Sequence, residues 1–138
     1  MTRYSGQWMI TTPTHQATIR VDLDWEPKDP LAIWIIFPVQ GVCWEVSRDL
    51  LREGLAAPAG TPVGEGDLRI APAGTHPDGL LTIDMISPRT GSVTRLHAPV
   101  EDLTSFLADT DRVLPPQEED LTPALEDMLV RILEGQTR

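Results

Sequence analysis

Three histidines and one cysteine are the side chains here best suited to hold a metal, and their spacing gives no support to such a site. His15, His76 and His97 lie far apart and lack the i, i+3 or i+4 relation by which one helix presents two ligands. A zinc site needs three or four converging ligands, so the fold itself would have to gather these residues with Cys43. As a nucleophile Cys43 is poor: it alternates with Val42 and Trp44 on a short strand, and nothing near it would lower a thiol pKa. It reads instead as a buried small thiol or one on an oligomer face. Asp22 and Asp24 share a strand face with Arg20. Paired carboxylates can do acid–base work, but on an alternating strand they read as its wet side. Gly60, Gly64 and Gly66 form no phosphate loop, because no Gly-Lys-Ser/Thr follows and the next element is a strand. The sequence therefore reads as no enzyme, with no catalytic, cofactor-binding or metal-binding residues.

The four tryptophans are a different kind of resource. On an exposed sheet they could stack nucleic-acid bases. Trp25 and Trp44 fall on the apolar faces of their strands and point to the core. Trp34 stands on the second face of a strand that is apolar on both sides, so it is expected to meet a helix or a subunit interface, where Trp is favoured. Arg48 and Asp49 open a short helix. Asp49 suits the helix dipole there, and Arg48 is placed to pair with a carboxylate. Trp34, Arg48 and Asp49 are the candidates for a partner or oligomer surface.

The elements that must position these residues follow from periodicity. Ala17, Ile19, Val21, Leu23 and Trp25 alternate with polar residues, the pattern of a half-buried strand. Two prolines, Pro27 and Pro30, break it. Leu31 to Phe37 is apolar on both faces and needs a second cover, from a helix or another subunit. After a turn at Pro38 to Gly41, Val42 to Val46 returns as a strand. Ser47 is a good N-cap for the next helix, and Gly54 suits its C-cap; Leu50, Leu51 and Leu55 form its buried side. A Pro/Gly-rich loop runs from Ala56 to Gly66. Asp67 to Ala71, Leu80 to Ser87 and Ser92 to Ala98 read as three more strands. Pro99 suits a first helical turn, with Val100, Leu103, Phe106, Leu107 and Val113 near one face. A last helix, about 122–134, is signalled by Thr122, Pro123 and an apolar face of Leu125, Met128, Leu129, Ile132 and Leu133. Three strands and a helix thus occur twice, which hints at a duplicated unit. The expected architecture is α+β: a strongly bent antiparallel sheet or barrel with helices at its ends.

Composition bounds the function. The 138 residues form one domain. With 11 basic and 21 acidic residues the net charge is −10. Nucleic-acid affinity comes largely from phosphate neutralisation by Lys and Arg, and no basic cluster appears, so nucleic acid is not an expected partner. The longest apolar run, Leu31 to Phe37, is too short to span a bilayer, and no signal peptide is visible at the N-terminus. A single cysteine fits a reducing compartment, and a cytoplasmic location is expected.

Several short motifs occur in a fixed order. Asp29-Pro30 opens a strand, Ser47-Arg48-Asp49-Leu50-Leu51-Arg52-Glu53-Gly54-Leu55 follows, and then Pro58 and Gly66-Asp67-Leu68-Arg69-x-x-Pro72. Later come Ala98-Pro99, Leu103, Phe106-Leu107, Thr110-Asp111 and Leu114-Pro115. Together, over roughly residues 19–116, they resemble the SsgA-like family of actinobacterial sporulation and cell-division regulators. Ser47 and Ala71 depart from the family's usual Ala and Trp. Ten of the eleven basic residues are Arg and Asn is absent, a bias that suits a GC-rich genome. The resemblance implies a single SsgA-like domain with its core at about 16–116 and a fold similar to the Whirly single-stranded nucleic-acid-binding proteins. It implies a homotrimer acting at the division septum by protein–protein interaction, positioning or recruiting FtsZ or septal factors, or meeting another SsgA-like protein. The alternative by analogy of fold is a single-stranded nucleic-acid binder.

Overall fold

The computed structural model describes residues 1–57, 62–64, 66–72 and 79–116. The expected helix at 122–134, His76 and the turn at Pro77 lie outside them. Seven strands run β1 Thr2–Thr11, β2 Gln16–Glu26, β3 Asp29–Phe37, β4 Val42–Ser47, β5 Leu68–Pro72, β6 Leu80–Ile86 and β7 Val93–Pro99. Helix α1, Arg48–Ala56, follows β4, and α2, Val100–Val113, follows β7. The strands form one antiparallel sheet in the order β4-β3-β2-β1-β7-β6-β5. The sheet curls into a nearly closed barrel. The end strands β4 and β5 are not paired, and α1 lies across the gap, touching β3 and β4 on one side and β5 on the other.

The segment β4-β3-β2 repeats in sense as β7-β6-β5, each triplet leading from its last strand into a helix. The duplicated unit hinted at in the sequence is thus present as architecture. The unforeseen element is β1, which stands between the two triplets and pairs with both β2 and β7.

Alternation builds the core. Val21, Leu23 and Trp25 on β2, Ile33, Ile35 and Phe37 on β3, Leu81, Ile83 and Met85 on β6, and Leu96 and Ala98 on β7 point inward and are buried. Leu51 of α1 and Leu103, Phe106 and Leu107 of α2 close the same core. The expected break at Pro27 is tighter than the two prolines suggest. Glu26 pairs with Asp29 across a two-residue turn, and Trp25 Nε1 donates to the Pro30 carbonyl at 3.0 Å.

On β1 the inward residues are Tyr4, Gly6, Trp8 and Ile10. A Cβ on Gly6 would fall 2.1 Å from the Tyr4 hydroxyl, so Gly6 is the bare backbone over which Tyr4 folds towards Trp8. Their ring centroids are 5.7 Å apart. Trp8 Nε1 donates to Tyr4 Oη at 2.9 Å, and Tyr4 Oη donates to Asp102 Oδ2 at 2.5 Å. This chain of hydrogen bonds ties the central strand to the first turn of α2. Burial, followed by the bond to Asp102, pushes the Tyr4 phenol above its usual pKa.

Two helix details differ from the sequence reading. Gly54 is not a C-cap: α1 continues to Ala56 with Ala57 as cap, and Gly54 is buried inside the helix. A Cβ there would lie 2.6 Å from Ile70 Cγ2. The glycine sets how closely α1 approaches β5, which is a packing role and not a left-handed turn. On α2, Val113 is exposed, and Thr110 takes the place on the buried face. Its hydroxyl satisfies itself on the Leu107 carbonyl at 2.7 Å, which lets a polar side chain enter the core.

Candidate functional site

Ser47 caps α1 as expected, its hydroxyl accepting from the Leu50 N–H at 3.2 Å. This fixes the first residue of the helix, Arg48, so that its side chain turns into the protein. Arg48 is fully buried. Its guanidinium lies 4.9 Å from the Trp25 ring centroid, a cation–π contact. Nη2 donates to Asp111 Oδ1 at 2.5 Å and to the Leu114 carbonyl at 2.6 Å. Leu114 is the C-cap of α2, where a cation is favoured by the helix dipole. One turn further along α1, Arg52 grips both oxygens of Asp111 at 3.0 and 3.1 Å. Burial alone would raise the Asp111 pKa; the bonds from Arg52 and Arg48 outweigh it and hold the carboxyl below its ordinary value. The start of α1 is thereby locked to the end of α2.

Arg48 therefore does not present its own side chain to a partner. The carboxylate expected for it is Asp111, and the pairing is internal. Asp49, the next residue, is exposed in the first turn of α1. Trp34 is 39% exposed and faces away from the core. On the outer face it pairs with Asp24 of β2 and Glu45 of β4. Its neighbours one row along are Ile36, Asp22 and Cys43. No described helix packs over Trp34, so the expected helical cover is not among the described residues. Trp34 and Asp49 thus remain on the surface, while Arg48 acts beneath it.

The outer face carries the charged pairs. Ser5 and then Arg20 lower the Asp22 pKa, with Ser5 Oγ at 2.7 Å and Arg20 Nε at 3.1 Å. This is the wet strand face foreseen for Asp22 and Asp24. Cys43 is exposed rather than buried, because its side of β4 is the outer one. Partial loss of hydration and the Asp24 carboxylate push its thiol pKa up, which disfavours the thiolate a nucleophile needs. His97 contacts Thr11 Oγ1 at 3.0 Å across β1 and β7, and His15 is exposed in the β1–β2 turn. Among the described residues no group of three or more His, Cys, Asp or Glu side chains could hold a metal ion. Trp25 is buried as expected, and Trp44 is half-buried against the core.

A feature missed in the sequence is the open end of the barrel away from the helices. There a cavity of about 310 Å³ is walled by Ile10, Ile19, Phe37, Val42, Trp44 and Met85, with Gln40 and Thr94 at its rim. The signal was dispersed: the walls come from five strands and the rim from a sixth and a turn, and they are brought together only when the sheet curls. No described helix is long and apolar enough to cross a membrane.

Comparison with known proteins fits this geometry. The family model for the Streptomyces sporulation and cell division protein SsgA matches residues 19–119. The chain is 33% identical to the sporulation-specific cell division protein SsgB of Streptomyces coelicolor over 128 residues, covering 91% of this chain and 89% of that protein. It is 32% identical to SsgB of Saccharopolyspora erythraea, covering 91% and 86%. Among solved structures, one concerning SsgB mutations that correlate to longitudinal cell division during sporulation of Streptomyces coelicolor superposes with a TM-score of 0.69 at 32% identity, covering 86% of this chain and 91% of that one. The SsgA-like sporulation-specific cell division protein of Thermobifida fusca gives 0.67 at 27% identity, covering 97% and 95%. The curled sheet with its two helices is the fold of these proteins, and the chain belongs to the SsgA family of sporulation and cell division proteins.

Proposed function

We propose that this protein is a non-enzymatic adaptor of sporulation-specific cell division. The carrying observation is its likeness to sporulation-specific cell division proteins along nearly the whole chain. The adaptor works by surface complementarity at the septum, positioning or recruiting FtsZ or a septal factor from the cytoplasm. Its form is a homo-oligomer, a trimer by family resemblance, with Trp34 at an oligomer or partner surface. Several copies of one weak site facing a repeating filament raise avidity without new contacts. Asp49, exposed at the start of α1, and the carboxylates around Trp34 supply charge for steering and partner choice.

Co-sedimentation with GTP-assembled FtsZ of the same organism, beside an unrelated acidic protein, tests this. Specific pelleting is the expected result. Absence of pelleting by folded, oligomeric protein would remove FtsZ as the direct partner.

A further inference from the structure

We propose that the open end of the barrel docks a short acidic peptide segment of a partner protein, one bulky apolar side chain of which fills the cavity between Trp44, Phe37 and Ile10. The proposal deepens the adaptor reading, on which it rests, by naming the chemistry of the partner.

Shape and polarity supply the first argument. The cavity, about 310 Å³, is at the low end of the range for ligand pockets and suits one or two side chains. Its apolar character continues outside. Val39 and Val93 are 78% and 37% exposed on the hairpins that flank it. A ligand confined to the cavity would leave those valines wet; a peptide lying across the rim would cover them. One anchor in a pocket with a weaker ring of contacts around it is the usual anatomy of a protein docking site.

Charge supplies the second. The register places the β1–β2, β3–β4 and β6–β7 turns together at this end. In a chain of net charge −10, no residue lining the cavity and no residue of the turns at 12–15, 38–41 and 87–92 is Asp or Glu. The turns carry Arg89 instead, exposed and without a carboxylate partner among the described residues. Of the carboxylates nearest this turn, Asp84 is held by Arg95 at 2.8 and 3.0 Å. Asp67, just ahead of β5, is exposed and stands opposite Ile86 through its backbone carbonyl, so the side of the cavity clear of acid is the one bounded by the 12–15 and 38–41 turns. An acidic segment is repelled by most of this surface and accepted here, so the net charge orients it.

The test is an NMR titration of the isotope-labelled full chain with a short synthetic peptide of Asp and Glu around one central Phe. Two control peptides replace the Phe with Gly or every acid with Lys. The expected result is saturable shifts confined to Ile10, Ile19, Val42, Trp44 and Thr94. Loss of the Phe should weaken binding about tenfold or more. Arg89→Glu and Gln40→Glu, both exposed turn positions, should each weaken it several-fold with an unchanged melting temperature. Equal binding of the Lys peptide, shifts centred on Trp34, or no saturable shift at the barrel end would overturn the proposal. So would a second copy of the chain already covering that end. The titration contains no FtsZ, so the two readings fail separately. Peptide binding without FtsZ pelleting sinks only the FtsZ assignment. Pelleting that both variants leave intact, with no peptide binding, sinks only the docking site.

Discussion

Arg48 and Asp111 are 63 positions apart in sequence and 2.5 Å apart in space, so two helices formed from separate halves of the chain share one ion pair. Asp111 is also the bidentate partner of Arg52. Its carboxylate therefore serves two guanidiniums, one of them fully buried.

Asp111→Asn should destabilise the protein by about 2–4 kcal/mol, because the buried Arg48 and its neighbour Arg52 lose the carboxylate they share. The cost falls below that of a fully enclosed pair, since Asp111 is 30% exposed. Urea midpoints at neutral pH measure it. The folded pKa of Asp111 is depressed below 3.8. The stabilisation is thus present above that value and is lost as pH falls through the folded pKa. The gap between wild type and variant should close in acid; a gap that persists undiminished at pH 2 would refute the ionic account.

Gly54→Ala would ordinarily strengthen a helix by about 1 kcal/mol. Here the new methyl meets Ile70 Cγ2, and overpacking costs about 1–3 kcal/mol, so the melting temperature should fall. Ile70→Ala in the same chain should recover part of the loss, a coupling that a double-mutant cycle detects. Independent, additive effects would mean the close approach is relieved elsewhere.

Tyr4→Phe removes the acceptor of the buried Trp8 N–H and should cost about 1–3 kcal/mol. The folded pKa of Tyr4 is raised above 10.0, so its stabilisation is complete below that value and is lost as pH climbs through the folded pKa. Stability measured from pH 8 to 11 should decline more steeply for wild type than for the variant.

Trp34→Ala should change the stability of the single subunit by no more than about 0.5 kcal/mol, as for an outward-facing residue. If Trp34 lies in the oligomer contact, the sedimentation coefficient at micromolar protein should drop. An unchanged coefficient would take Trp34 out of that contact.

Strands β2 to β7 were legible because each carries an alternating or continuous apolar run between turn residues, and α1 was legible through Ser47. β1 was not, because Gly6 interrupts its inward row and the missing apolar surface is supplied by Tyr4 folding over it. Gly54 looked like a helix end because glycine is common there; its actual constraint comes from Ile70, on a strand beyond the next loop. Arg48 and Asp49 are adjacent in the motif but have opposite fates. Asp111, the Leu114 carbonyl and the Trp25 ring draw Arg48 inside, and nothing local in the motif announces them. The barrel-end cavity was illegible for the same reason, since its walls belong to five strands.

The central position of β1 also has a temporal meaning. β1 is bonded on one side to β2, the next strand along the chain, and on the other to β7, which is made much later, through pairs such as Ile10 with Leu96. Contacts so distant in sequence are slow to form. Until Pro99 has emerged, β1 can complete only one of its two ladders, and its other edge is an open template for strands of neighbouring chains. Nascent chains halted before Val93 should therefore be sensitive to protease within β1, and those extended past Val113 should be resistant. The two ladders of β1 are thus made at different times, the second only once β7 is available.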